Sequence, residues 1–133
     1  MTTIHANSTR EALARVELMV GLAGVDIPVG AIRKLIASSI NLVLQVARLP
    51  GGKRKVITIS EIIGLEGDIV SMHDLFLFVQ TGTDLDHAAE GYFRATGIRP
   101  ALLNKLNVRG ANVPVDWFIE RRLPAPRGRG VNR

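Results

Sequence analysis

Three histidines, His5, His73 and His87, are the side chains best suited to move a proton near neutral pH, but they share no metal-ligand spacing. No His-Glu-x-x-His pair or carboxylate cluster accompanies them, so no metal site is expected. A serine-histidine-aspartate triad would lack its usual Gly-x-Ser-x-Gly elbow. A phosphate loop needs Gly, four residues, then Gly-Lys-Ser/Thr, so that backbone N–H groups cradle the phosphates and the hydroxyl holds magnesium. The only Gly-Lys pair, Gly52–Lys53, is followed by Arg54, and Ala47 stands where the first glycine should be. That segment reads as a basic hairpin turn. The nearest candidates for a magnesium-binding carboxylate are Glu61, after Ile59–Ser60, and Asp74, after Ile69–His73; neither follows a clean buried run. These residues alone give no evident means of binding Mg-ATP.

The elements that would position such groups can be read from pattern. Ser8–Thr9–Arg10–Glu11 is a capping box, opening a helix that runs to about Ala23 with Leu13, Val16 and Val20 on one face and Gly24 as its stop. Pro28 suits the first turn of a second helix, continued by Val29, Ile32, Ile36 and Ile40 at helical spacing. Ahead of both, Thr2–Thr3–Ile4–His5 reads as the end of a strand. Leu42–Leu49 is apolar on both parities, the pattern of a strand covered on two faces. After the Pro50–Gly51–Gly52 turn, Arg54–Ile63 and Ile69–Val79 complete a β-meander. Thr81–Glu90 reads as a loop and Phe93–Pro100 as a connector. Pro100 should open a short helix through Leu102, Leu103 and Leu106. Val115, Trp117, Phe118 and Ile119 read as a last helix docking on the body, and Pro124–Arg133 as a disordered tail.

Composition sets the class. At 133 residues, 47% hydrophobic and 22% charged, the chain has the make-up of one folded domain, with only 5% aromatics to fill its core. The absence of cysteine excludes disulfides, thiolate metal sites and a cysteine nucleophile. No run reaches the ~18 apolar residues of a membrane span; the longest candidate, Ile32–Leu49, is interrupted by Arg33, Lys34 and Arg48 among others. No export signal opens the chain, so a cytoplasmic location is expected. The formal charge of +5 lies mostly in Lys53–Arg54–Lys55 and after Glu120, read first as solvated surface.

An ordered series of motifs goes further. Thr2–Thr3–Ile4–His5–Ala6–Asn7–Ser8, running into Arg10–Glu11–Ala12–Leu13–Ala14–Arg15, resembles the histidine box of CpaF/TadA-type secretion and pilus-assembly ATPases. Gly24–Val29, Ala31–Arg33 and Ile36–Ser39 look like the segment after the box in that family. The strand ending Val46–Leu49, the run Glu61–Asp68, Met72–Phe76 and Phe93–Pro100 match in the same order, from residue 2 to about 118.

The resemblance implies an α/β fold: the C-terminal part of a RecA-like P-loop ATPase domain, a mixed sheet with a β-meander plus a small C-terminal helical segment. Residues 1–80 would be the partial ATPase domain from the histidine box onward, 81–122 a connector with short helices, and 123–133 a basic tail. Such proteins are hexameric motors at the cytoplasmic face of the inner membrane, driving Tad or type IV-like pilus assembly or type II/IV secretion. Their partners are the neighbouring subunits and a membrane platform protein. His5 would couple nucleotide state to subunit movement, and Arg10 and Arg15 would lie near the subunit interface. ATP and magnesium belong to the complete family member, whose phosphate loop and acidic boxes precede the histidine box. A chain starting within that box is expected to be a truncated product or to result from a misplaced start codon, and to hydrolyse no ATP alone. Two alternatives stand beside this reading. One is a non-catalytic interaction module acting on the intact ATPase. The other, placed last, is nucleic-acid binding through the basic runs, for which one Trp and one Tyr offer little stacking.

Overall fold

Ser8 sits in extended backbone ahead of the first helix, and its hydroxyl accepts the N–H of Glu11 at 3.1 Å. Glu11 reaches back to the N–H of Asn7, at 3.0 Å, so the box closes one residue earlier than in its usual form. The computed structural model describes residues 1–24 and 26–124. In it α1 spans Thr9–Leu22 and ends at Ala23, followed by Gly24 at φ +71°, a left-handed conformation that glycine adopts without a Cβ clash. α2 spans Val29–Ser39, with Pro28 just outside it at the cap position.

The strands come in the order β1 (Leu42–Arg48), β2 (Arg54–Glu66), β3 (Ile69–Thr83), β4 (Ala89–Ala95) and β5 (Arg121–Arg122). Between β4 and β5 lie α3 (Leu102–Val108) and a single 3-10 turn (Val115–Phe118). The sheet order is β1-β2-β3-β4-β5, each strand beside its neighbour in sequence, which is the expected meander extended by two strands. The architecture is α/β. The expected mixed sheet is corrected, because every pairing among the described residues is antiparallel. A parallel neighbour needs a crossover of a dozen or more residues. Here α1 and α2 both precede β1, and tight turns join β1 to β2 to β3.

The core lies where both helices meet one face of the sheet. Leu13 of α1, Ile32 and Ile36 of α2, Ile62 of β2 and Val70 of β3 are each at least nine-tenths buried, with Val16, Val20, Val43, Leu65 and Met72 packed around them. Arg33 of α2 clamps this layer: its Nε and Nη2 donate to the Glu17 carboxylate of α1 at 3.0 and 3.3 Å, and its Nη1 to the Asp68 carbonyl at 2.9 Å.

Several expectations change. Thr2–His5 is not a strand and joins no ladder among the described residues. β1 is covered on one face only; Leu42, Leu44 and Val46 on the other are 38, 55 and 51% exposed, because α1 and α2 pack on the face that carries Val43. Half of the loop read over Thr81–Glu90 is sheet, since β3 runs to Thr83 and β4 starts at Ala89. The turn left between them is held by Asp84, whose Oδ1 accepts the N–H groups of Asp86 and Ala88 at 3.0 and 2.8 Å. The connector read from Phe93 begins inside β4, where Phe93 pairs with Phe78 of β3. The last apolar cluster makes only the 3-10 turn, whose Phe118 ring sits 5.6 Å from that of Phe76. Beyond Pro124, the tail reading lies outside the described residues.

Candidate functional site

The segment that carries His5 is held at two points. The side-chain amide of Gln45, buried in β1, donates to the Ala6 carbonyl at 2.9 Å, and Glu11 takes the Asn7 N–H. Just ahead of these ties, His5 itself is exposed. Arg10, in the first turn of α1, is exposed too and stands at the junction of two shallow clefts.

The larger cleft, about 340 Å³, lies where the start of α1 crosses the sheet; Asn7, Ser8, Arg10, Gln45, Thr58 and Asp74 line it. Beneath it runs a short polar chain. Ser60 Oγ donates to Asp74 Oδ1 at 2.7 Å and lies 3.5 Å from Thr9 Oγ1. Ser60 has no exposed surface, so its hydroxyl cannot reach a substrate and acts as a tie between β2 and β3. The smaller cleft, about 210 Å³, has the Arg33–Glu17 pair in its wall. Glu17 holds the Arg33 guanidinium above its ordinary pKa, chiefly through their hydrogen bond.

Arg15 comes five residues after Arg10, so it is turned about 140° around the helix. It pairs with Glu11 at 3.3 Å and lines neither cleft. The Asn7 N–H, with help from Arg15, holds the Glu11 carboxyl below its ordinary pKa. His5, Arg10 and Arg15 thus share one stretch of chain but not one pocket. His5 also lines neither cleft.

Glu61 and Asp74 take different roles from those weighed in the sequence. Glu61 is buried, only 3% exposed, and its oxygens accept the N–H groups of Ala101 and Leu102 at 3.0 and 2.6 Å, capping α3. With both oxygens so used it is a structural carboxylate. No group of three or more His, Asp or Glu side chains among the described residues is arranged to hold a metal. The residues that sequence reasoning missed are Gln45, Thr58 and Thr9, since nothing local marks a strand residue that faces a helix start. Ser60 and Asp74 stood in view, but their contact depends on strand register.

The basic run is only partly free. Lys55 is half-buried, its Nζ 4.5 Å from the centroid of the Phe78 ring and 3.4 Å from the Ala89 carbonyl it donates to. Arg122 lies 4.2 Å over Tyr92, covering a ring that a base would need. No helix among the described residues is long and apolar enough to cross a membrane.

No protein-family model matches this chain. A search of curated proteins likewise gives no match.

Proposed function

We propose that this chain is the C-terminal portion of a CpaF-type secretion or pilus-assembly ATPase, contributing the histidine box and the elements C-terminal to it to a hexameric RecA-like motor. The observation that carries this reading is the order of motifs from Thr2 to Phe118, beginning with the box around His5. Its geometry is compatible: a tethered segment that leaves His5 and Arg10 exposed suits residues that answer to a nucleotide or a neighbouring subunit. In this reading His5 couples phosphate state to subunit movement and Arg10 lies toward the interface. Arg15, tied to Glu11, supports the box rather than the nucleotide. The antiparallel meander is an annex to a parallel P-loop core. That core, with the phosphate loop and acidic boxes that bind ATP and magnesium, comes from residues outside these 133. The motor works at the inner-membrane face with its platform protein, and the chain by itself turns over no ATP.

Translating the DNA upstream of the Met1 codon in the same frame tests this directly. An in-frame Gly-x-x-x-x-Gly-Lys-Ser/Thr without an intervening stop is expected. A stop codon immediately upstream would leave the second reading, a non-catalytic module that binds the intact ATPase. That alternative draws on the apolar surface of the helices, where Leu18, Leu22 and Leu35 are 61, 77 and 56% exposed.

A further inference from the structure

The most buried residue of β1 is its one uncharged polar residue. Gln45 is 8% exposed, while the other positions of the strand are half-buried or exposed. Val43 and Ala47, on the same face, are apolar, and packing alone would favour an apolar side chain between them. An amide placed there loses its water and must recover a hydrogen bond from the protein. Gln45 recovers one from the segment that carries His5: its Nε2 donates to the Ala6 carbonyl at 2.9 Å, across 39 residues of sequence.

The tie from α1 falls on the same peptide group. The carbonyl of Ala6 and the N–H of Asn7 are the two polar ends of one planar amide. Gln45 grips the first from the sheet, and the Glu11 carboxylate grips the second from the helix, at 3.0 Å. Two torsions, φ and ψ of Ala6, separate this plane from the Cα of His5. His5 is exposed and lines neither cleft, so its own side chain does little to place it. Its position comes through the backbone, from the held peptide. We propose that Gln45 is the positioning residue of the histidine box, fixing from the sheet the peptide from which His5 is presented. The consequence for turnover rests on the motor reading; the placement of the segment does not.

Gln45→Met tests it, since methionine matches glutamine in length, tolerates burial and donates no hydrogen bond. In the 133-residue chain, the backbone order parameters of His5 and Asn7 should leave the rigid range of about 0.85, while those of Leu13 and Ile62 keep their wild-type values. In the complete polypeptide the same change should lower kcat by at least about threefold and leave KM for ATP within about twofold, because it displaces His5 and no group that binds ATP. In a His5→Ala background it should cost nothing further, whereas a residue that only stabilised the fold would cost the same in both backgrounds. Unchanged order at His5 and Asn7 overturns the proposal. So does undiminished kcat in Gln45→Met, or a loss that persists in full without His5. Absence of hydrolysis by the wild-type polypeptide would instead overturn the motor reading, and the relaxation data would still decide what Gln45 holds. Where Gln45→Met folds poorly, the wild type decides. The Gln45 Nε2 protons should exchange more slowly than those of the exposed Gln80, and equal rates would mean that the bond to Ala6 does not form.

Discussion

Glu61 on β2 accepts the backbone N–H of Leu102 at 2.6 Å, across 41 residues of sequence, and so ties the middle of the sheet to the start of α3. Ala101 gives the same carboxylate a second N–H at 3.0 Å. The first N–H groups of a helix have no partner within it, and α3 has no side-chain cap of its own. A buried glutamate from a distant strand supplies what the local sequence does not.

Glu61→Ala should therefore cost about 1–3 kcal/mol, since it leaves two N–H groups without their acceptor. Glu61→Gln keeps one carbonyl oxygen and should cost less. Urea unfolding gives the order, and faster amide exchange at Leu102 in Glu61→Ala would locate the effect. Equal stability of Glu61→Ala and the wild type would show that the cap contributes nothing.

Ser60 bridges two strands while fully buried, donating to Asp74 and lying against Thr9. Ser60→Ala should destabilise by about 1 kcal/mol. In a double-mutant cycle with Asp74→Ala the two effects should not add, because either change breaks the same bond. Full additivity would mean that the Ser60–Asp74 contact does not form in solution.

The turn that presents His5 should loosen in acid. Glu11 has its folded pKa depressed below the ordinary 4.5, first by the Asn7 N–H and then by Arg15. A depressed carboxyl contributes stability that is complete above its unfolded value and is lost as the pH falls through the folded one. Protection of the Asn7 amide, taken relative to its intrinsic exchange rate at each pH, should accordingly fall as the pH drops below 4.5 in the wild type. In Glu11→Gln that protection should be lower at neutral pH and show less of this acid dependence. Identical pH profiles for the two proteins would contradict the assignment.

Legible in the sequence was whatever is locally encoded. α1 was legible because Ser8, Glu11 and Gly24 are start and stop signals contained in the segment itself. The three-strand meander was legible because turn residues punctuate β-branched runs, although β2 runs on through Glu66 and leaves only Gly67–Asp68 of the turn expected over Gly64–Asp68. β4 was not, because Ala89 and Glu90 close the polar run read as a loop and Gly91 adds no strand-forming side chain. Its lack of a side chain answers a spatial need instead: a Cβ there would lie 2.7 Å from Cζ of Phe78 on the neighbouring strand. Thr2–His5 failed the other way, with strand-forming residues and no strand to pair with. The cleft beside Arg10 was hidden for a third reason. The register slips between Ile59 and Ser60, and this shift helps set Ser60 opposite Asp74. No local pattern announces such a shift.

The proposed function rests on His5 belonging to an ATPase motor. Steady-state ATP hydrolysis by the complete polypeptide that carries this chain, wild type against His5→Ala, tests it most directly. The motor reading predicts that kcat falls by at least about tenfold, the scale of losing one group that acts on the reacting phosphates. The unfolding midpoint should stay put, because His5 is exposed and lies outside both clefts. Undiminished turnover in His5→Ala, or no hydrolysis by the complete wild-type polypeptide, would contradict it.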